Sequence, residues 1–325
     1  MKQGLWILMA CIALCSCQNT EEKSTVVSQK FVHKYGFPIT KNDWEQKKEG
    51  QIITELDNGS IVTHNYVNGT LHGSTSYTYP KSTLVQKIEF YDEGTLIKTV
   101  ENDEEGIPCR ETAYEFDNRK VISLWDKVGT PMCMEEYEND NLVKGEYFTP
   151  NNEKESVVEN GKGIRVKRNR EGNLLCRDTV ENGQLIFRLA YHSNGAVQSE
   201  SPFDNWQLHG KQKTYASSGL PVLELQWDHG TLHGLKILFH NGKKTEEIPF
   251  VYGEKHGMEK HYDASGQITA EIPWIHNVMH GKALFHEAET SQTQWFYKGL
   301  SVSLNKFQMM ELRDKMIADL YGEKR

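Results

Sequence analysis

The sequence predicts an all-β fold, an elongated antiparallel meander of about ten β-hairpin repeats of ~23 residues with a C-terminal capping helix. Three observations sharing one period predict it. A His-Gly step returns at His209, His233, His256 and His280, at gaps of 24, 23 and 24. A glycine returns at Gly219, Gly242 and Gly266, at gaps of 23 and 24. An aromatic residue returns at Phe203, Trp227, Phe250 and Trp274, at gaps of 24, 23 and 24. Chance composition does not set three residue types on one period. The stretch 204–281 is therefore a tandem repeat, and the rest of the chain extends, anchors or caps it.

Residues 1–17 read as a lipoprotein signal peptide. Met1-Lys2 is a short charged region, and residues 5–14 are apolar but too few to span a bilayer. Leu14-Cys15-Ser16-Cys17 resembles a bacterial lipobox. The resemblance implies that Cys17 is the lipidation site and becomes the new N-terminus, with acyl chains such as palmitate as the membrane anchor. Gln18 in place of Asp favours the outer membrane by resemblance to the common sorting pattern. A plain signal peptide or short anchor with incidental cysteines is the alternative.

Residues 18–50 read as tether and N-terminal cap. Residues 18–30 are polar and read as a flexible tether. Thr40 followed by Lys41-Asn42-Asp43 approximates a capping box and predicts a short helix over 42–48. Phe31, Tyr35, Phe37 and Trp44 are the apolar residues available to cover the first sheet edge.

Residues 51–304 are the array. Projected backwards, the glycine anchor falls at Gly195, Gly172, Asn152, Gly129, Gly106, Ser82 and Gly59, each a turn-compatible residue. One gap, from Asn152 to Gly172, is only 20. A second turn site recurs as Asn68-Gly69, Asn160-Gly161 and Asn182-Gly183, the strongest short hairpin signal. Two strands and two turns fill such a unit, with no room for a helix of three turns. Pro202, Pro249 and Pro273 each precede the aromatic anchor. Proline cannot donate to a ladder, so a bulge or strand end is expected there. Residues 305–325 hold an amphipathic segment, 305–321, with Met309, Leu312, Met316 and Leu320 on one helical face. That face is expected to cover the raw edge of the sheet; a helix for a partner or a membrane surface is the alternative.

The pattern Asn-Gly-x-Leu-His-Gly, with Tyr-x-x-x-Gly and Trp-x-x-Gly following at a period near 23, resembles the MORN-repeat variant of bacterial YwqK-type, antitoxin-like proteins. The match covers about 50–300 and is weakest at 74–180, where the His-Gly step lacks its His. The resemblance implies stacked β-hairpins and an interaction or scaffolding role, since no catalytic residues travel with the repeat.

Composition narrows the function classes. The net charge is −8, and no long basic block exists, which argues against nucleic acid as a partner. Cys109 and Cys133 are 24 apart and occupy near-equivalent places. One strand between them sets them about 9–10 Å apart, beyond disulfide reach, so they are expected as thiols. The 13 histidines invite a metal reading. Equivalent histidines in successive hairpins lie ~9–10 Å apart, too far to share an ion, so no metal and no cofactor is expected. Non-equivalent pairs such as His229 with His233 stay open. No Gly-x-Ser-x-Gly elbow or dinucleotide loop occurs, and no enzyme is expected.

The aromatic columns are the candidate binding surface: Tyr191, Tyr215 and Tyr262 in one, Trp227, Phe250 and Trp274 in the other. Cross-strand packing in a sheet with little other core is the weightier account of them. The functional reading is a membrane-anchored, non-enzymatic scaffold for protein–protein interaction in the bacterial cell envelope. The alternatives are a glycan or cell-wall binding module, an antitoxin-like inhibitor of a partner protein, and an enzyme with a site hidden in 74–180.

Overall fold

The computed structural model describes residues 24–287 and 290–322. Cys17 and the leader 1–17 lie outside the described residues. The described residues form 29 strands and two helices, and the chain divides into two compact units, 1–108 and 109–325.

The first unit opens on strand Val26–Val32, which pairs antiparallel with Gly50–Leu56. This corrects the flexible tether expected over 18–30: from Val26 the segment is sheet. Its Val-Val and Phe-Val ends flank three polar residues, which suffices for an edge strand once a neighbour supplies the hydrogen bonds. Helix Lys41–Lys47 carries the expected capping box, with Thr40 Oγ1 accepting from Asp43 N–H and the Asp43 carboxylate accepting from Thr40 N–H. Trp44 packs between Phe31, at 5.8 Å between ring centroids, and Tyr66, at 5.4 Å. Tyr35 and Phe37 remain exposed, so only half of the expected apolar cap is used. A meander of hairpins follows, through strand Thr95–Asn102.

The second unit continues with antiparallel hairpins from strand Pro108–Tyr114 to strand Leu300–Val302. Two turn chemistries alternate. One is the tight two-residue turn with both residues at positive φ, as in Asn182 (51°) and Gly183 (76°). The other is the longer loop of the glycine anchor. There an Asp carboxylate accepts backbone N–H groups two and four residues on, as Asp263 does from Ser265 at 2.8 Å and Gln267 at 3.0 Å.

The prolines fall where the ladder breaks. Strand Val197–Asp204 pairs with Gln207–Leu208 and again with Gly210–Tyr215, and His209 stands between the two. His209, His256 and His280 donate their N–H to the carbonyls of Pro202, Pro249 and Pro273 at 3.0–3.1 Å. The glycine that follows lies against the proline ring. A Cβ at Gly257 would sit 3.1 Å from Pro249 Cγ, and φ there is +112°. At these three positions the His-Gly step is the bulge that lets the strand pass a proline, whereas Gly234 lies against Gln226 instead.

Burial is deepest in the middle of the second unit, where Cys133, Leu142, Tyr147, Val158, Val166 and Val180 form the core cluster. Strand Lys154–Glu159 pairs with Lys162–Arg168 through only two residue pairs. The Asn182-Gly183 turn reaches back: Leu142 N–H donates to Gly183 O at 3.3 Å, and Gly183 N–H to Gly161 O at 2.8 Å. The sheet curls here over the short repeat.

Helix Leu304–Gly322 closes the unit, with its inner face opposite to the one expected. Met309, Leu312, Met316 and Leu320 are 57–71% exposed. Phe307, Glu311 and Asp314 make the contacts instead. Phe307 lies 4.9 Å from the Trp295 ring and 5.5 Å from His280, and Asp314 accepts from Lys298 Nζ at 2.5 Å and from the Tyr297 hydroxyl. The last hairpin offers rings with polar tips, and these select one ring and two carboxylates over an aliphatic stripe.

Candidate functional site

Directly paired residues share a sheet face, and successive residues alternate. Gly210 pairs with Trp227, Gly234 with Phe250 and Gly257 with Trp274, which sets Trp227, Phe250 and Trp274 on one face. Tyr215 and Tyr262, each five residues after such a glycine, fall on the opposite face. Tyr191 joins them, because its neighbour Ala190 pairs with Ser199, which pairs with Thr214 beside Tyr215. The six residues expected to form a binding surface are therefore split between two faces. All six are half-buried.

Their contacts are those of packing. Trp227 Nε1 donates to Gln212 Oε1 at 2.9 Å, and Lys255 Nζ lies 4.4 Å from the Trp274 ring centroid. Tyr215 donates to Glu200 at 3.2 Å and Tyr262 to Glu247 at 2.7 Å, with Lys244 Nζ 4.2 Å over the Tyr262 ring. Burial and the bond to Glu200 raise the pKa of Tyr215; burial and the bond to Glu247 raise that of Tyr262.

At the edge carrying the tight turns, the His-Gly histidines meet the turn of the next hairpin. His233 lies 4.9 Å from Tyr252, His256 5.1 Å from His276, and His209 4.4 Å from His229, between ring centroids. The His229–His233 pairing left open by the sequence is not the one brought together. Asp228 joins the His209–His229 pair, with its Oδ1 3.4 Å from His209 Nδ1 and 2.7 Å from His229 Nδ1. Asp204 Oδ2 lies 3.1 Å from His229 Nε2. The bonds to Asp228 and Asp204 raise the pKa of His229, and the bond to His229 lowers that of Asp228. Sequence spacing excluded equivalent histidines in successive units and left non-equivalent pairs open; the pair brought together is offset by 20 residues, 209 to 229.

The core holds a second polar constellation. Glu135 accepts a bidentate pair from Arg165, at 2.6 and 2.8 Å, and hydroxyl bonds from Tyr137 at 2.7 Å and Tyr147 at 3.0 Å. On the strand next to Arg165, Asp178 is paired in the same way with Arg188, at 2.6 and 2.8 Å. Every acceptor here faces a protein donor, which makes these groups structural.

The exposed stripe of helix Leu304–Gly322 is the remaining feature. Its four large apolar side chains make an outward row at helical spacing, with Ile317 beside it. Among the described residues, no helix is long and apolar enough to cross a membrane.

Residues 255–276 match the family described as MORN repeat variant. This supports the MORN-type reading of the repeats. No curated protein matches the chain. Among solved structures, a porin-like protein from Bacteroides uniformis ATCC 8492 is similar at 12% identity, covering 84% of this chain and 91% of that one, with a TM-score of 0.16. The TcdB2-TccC3-TEV structure is similar at 11% identity over 76% of this chain, with a TM-score of 0.15. The match spans 16% of that second chain's length.

Proposed function

We propose that the protein is a lipid-anchored, non-enzymatic repeat scaffold that binds a protein partner in the bacterial cell envelope. The observation that carries this reading is the outward apolar stripe of Met309, Leu312, Met316 and Leu320. A row at this spacing, held on a helix that is already docked through its other face, is the form taken by helices that seat in a partner's apolar groove. Tandem hairpins supply a long platform for such a contact, since each unit needs only its neighbours to fold. Cys17 supplies the membrane attachment. The two aromatic columns serve the sheet: Trp227, Tyr215 and Tyr262 bond neighbouring side chains through their polar tips, and Lys244 and Lys255 lie over the rings of Tyr262 and Trp274.

Proximity labelling from the full-length protein in its native cell tests this. Cys17→Ser is expected to release the protein from the membrane fraction. Leu312→Lys with Met316→Lys is expected to lose the labelled partner while leaving the repeats folded. A labelled set unchanged by the stripe substitutions rules the stripe out as the docking surface.

A further inference from the structure

We propose that His209, Asp228 and His229 bind a divalent first-row transition ion of the Zn2+ class, with Asp204 holding His229 in place. One potential ligand atom from each of the three lies within 4.8 Å of the others. The 3.4 Å between His209 Nδ1 and Asp228 Oδ1 matches the ~3.3–3.5 Å that separates two ligands on a tetrahedral ion with bonds of ~2.0–2.1 Å. The His229 Nδ1 to Asp228 Oδ1 contact is shorter, at 2.7 Å. An ion bound between them opens the pair by a small side-chain rotation.

The orientation of His229 is already that of a metal ligand. Its Nε2 faces the Asp204 carboxylate at 3.1 Å. An imidazole that donates one N–H to a carboxylate presents the lone pair of its other nitrogen, here Nδ1, which points to Asp228 and His209. The backbone fixes all four residues. Asp204 and Asp228 end their strands immediately before tight turns, and His229 occupies the first turn position at φ 42°. Gly230 N–H donates to Leu208 O at 2.8 Å, docking that turn beside His209. The side chains of His209, Asp228, His229 and Asp204 are all about half exposed, which leaves an entry path and an open coordination position for water. Two imidazoles and one carboxylate suit zinc, cobalt, nickel or copper over calcium or magnesium, which prefer all-oxygen sets.

The neighbouring repeats show what this one adds. The residue at the place of Asp228 is Val251 in the next turn and Ile275 in the one after. His256 and His276 therefore pair without a shared carboxylate, and His276 bonds Glu254 instead, at 2.6 Å. Among the described residues, only the unit around His209 assembles three such donors.

Calorimetric titration of the full-length protein with Zn2+ alone, repeated with Co2+ and its visible absorption, tests the assignment. One saturable equivalent is expected. His209→Ala and Asp228→Asn are each expected to weaken it at least ~10-fold, and Asp204→Asn by ~10–100-fold. His256→Ala should leave it unchanged, and far-UV circular dichroism should show each variant folded. No saturable equivalent, or one that survives His209→Ala and Asp228→Asn in folded protein, overturns the proposal. Equal loss on His256→Ala overturns it as well.

Discussion

Arg165 grips Glu135 across three strand spacings, with Nε 2.6 Å from Oε1 and Nη2 2.8 Å from Oε2. In a flat sheet those strands stand ~14 Å apart, at ~4.8 Å per spacing. The bond therefore exists only because the sheet curls between strands Pro131–Glu138 and Lys162–Arg168. Glu135 is almost fully buried and Arg165 mostly so, which puts the pair in a regime where losing one partner strands the other.

Glu135→Gln is expected to destabilise the second unit by about 3–5 kcal/mol, whereas Glu135→Leu with Arg165→Met together should cost far less. Burial alone would raise the pKa of Glu135; the Arg165 charge and hydrogen bonds, with those of Tyr137 and Tyr147, outweigh it and hold the group below the usual carboxylate range. A depressed folded pKa gives stability that is complete above the unfolded value of ~4.3 and is lost as pH falls through the folded one. Urea unfolding should thus show a large gap between wild type and Glu135→Gln at about pH 7 that narrows in acid, near about pH 3. A gap independent of pH would remove the ion pair as its cause.

Gly257→Ala should cost more than Gly266→Ala, although both glycines have positive φ. At Gly266 (+89°) a new Cβ meets nothing within 4 Å, so the cost is backbone strain, roughly 1–2 kcal/mol. At Gly257 (+112°) the Cβ also presses on Pro249 Cγ at 3.1 Å, which adds overpacking and takes the total to roughly 2–4 kcal/mol. Pro249→Ala in the Gly257→Ala background should recover the packing part alone. Thermal unfolding of the three variants measures this, and equal shifts for Gly257→Ala and Gly266→Ala would exclude the contact with proline.

The hairpin period was legible because turn chemistry is local: the Asn-Gly turns, the anchor glycine and the His-Gly step each sit at fixed offsets whatever the rest of the sheet does. The curl was not, because it depends on a pair thirty residues apart, 135 and 165, in units whose repeat signature is weak. One sequence signal did mark it. The single short gap, 20 residues from Asn152 to Gly172, coincides with the weakly paired strands at the bend. The His209–Asp228–His229 cluster was hidden because equivalence between repeats was the wrong relation. A turn docks on the strand before it, which brings residues 20 apart together, not 24. The Met309–Leu320 row was read correctly as a helical face and placed on the wrong side, since periodicity does not say what a neighbour offers.

Cys133 and Cys176 should resist alkylation in the folded protein. Burial, reinforced by Glu135, pushes the Cys133 thiol up to about 12, and burial with Asp178 pushes Cys176 up to about 11. The thiolate is the reactive form, so at about pH 8 its population at both sites is small as well as shielded. Iodoacetamide labelling read by peptide mass spectrometry should modify both only once urea opens the sheet. Labelling of either in native protein at the rate of a model thiol would contradict the burial.

Phe307→Ala should release the C-terminal helix, and Leu312→Ala should not. Phe307 contacts Trp295 at 4.9 Å, His280 at 5.5 Å and Tyr297 at 6.3 Å, and it anchors the helix on the sheet through these three rings. Each aromatic pair is worth about 0.5–1.5 kcal/mol, so its loss should cost roughly 1–3 kcal/mol of docking free energy. Leu312 is exposed, and truncating it should stay within about 0.5 kcal/mol. Hydrogen exchange over 304–322 separates the two outcomes, because a released helix of this length frays in water. Protection lost in Phe307→Ala but kept in Leu312→Ala would fix which face is docked. The reverse pattern would return the Met309–Leu320 row to the sheet and remove the observation on which partner binding rests.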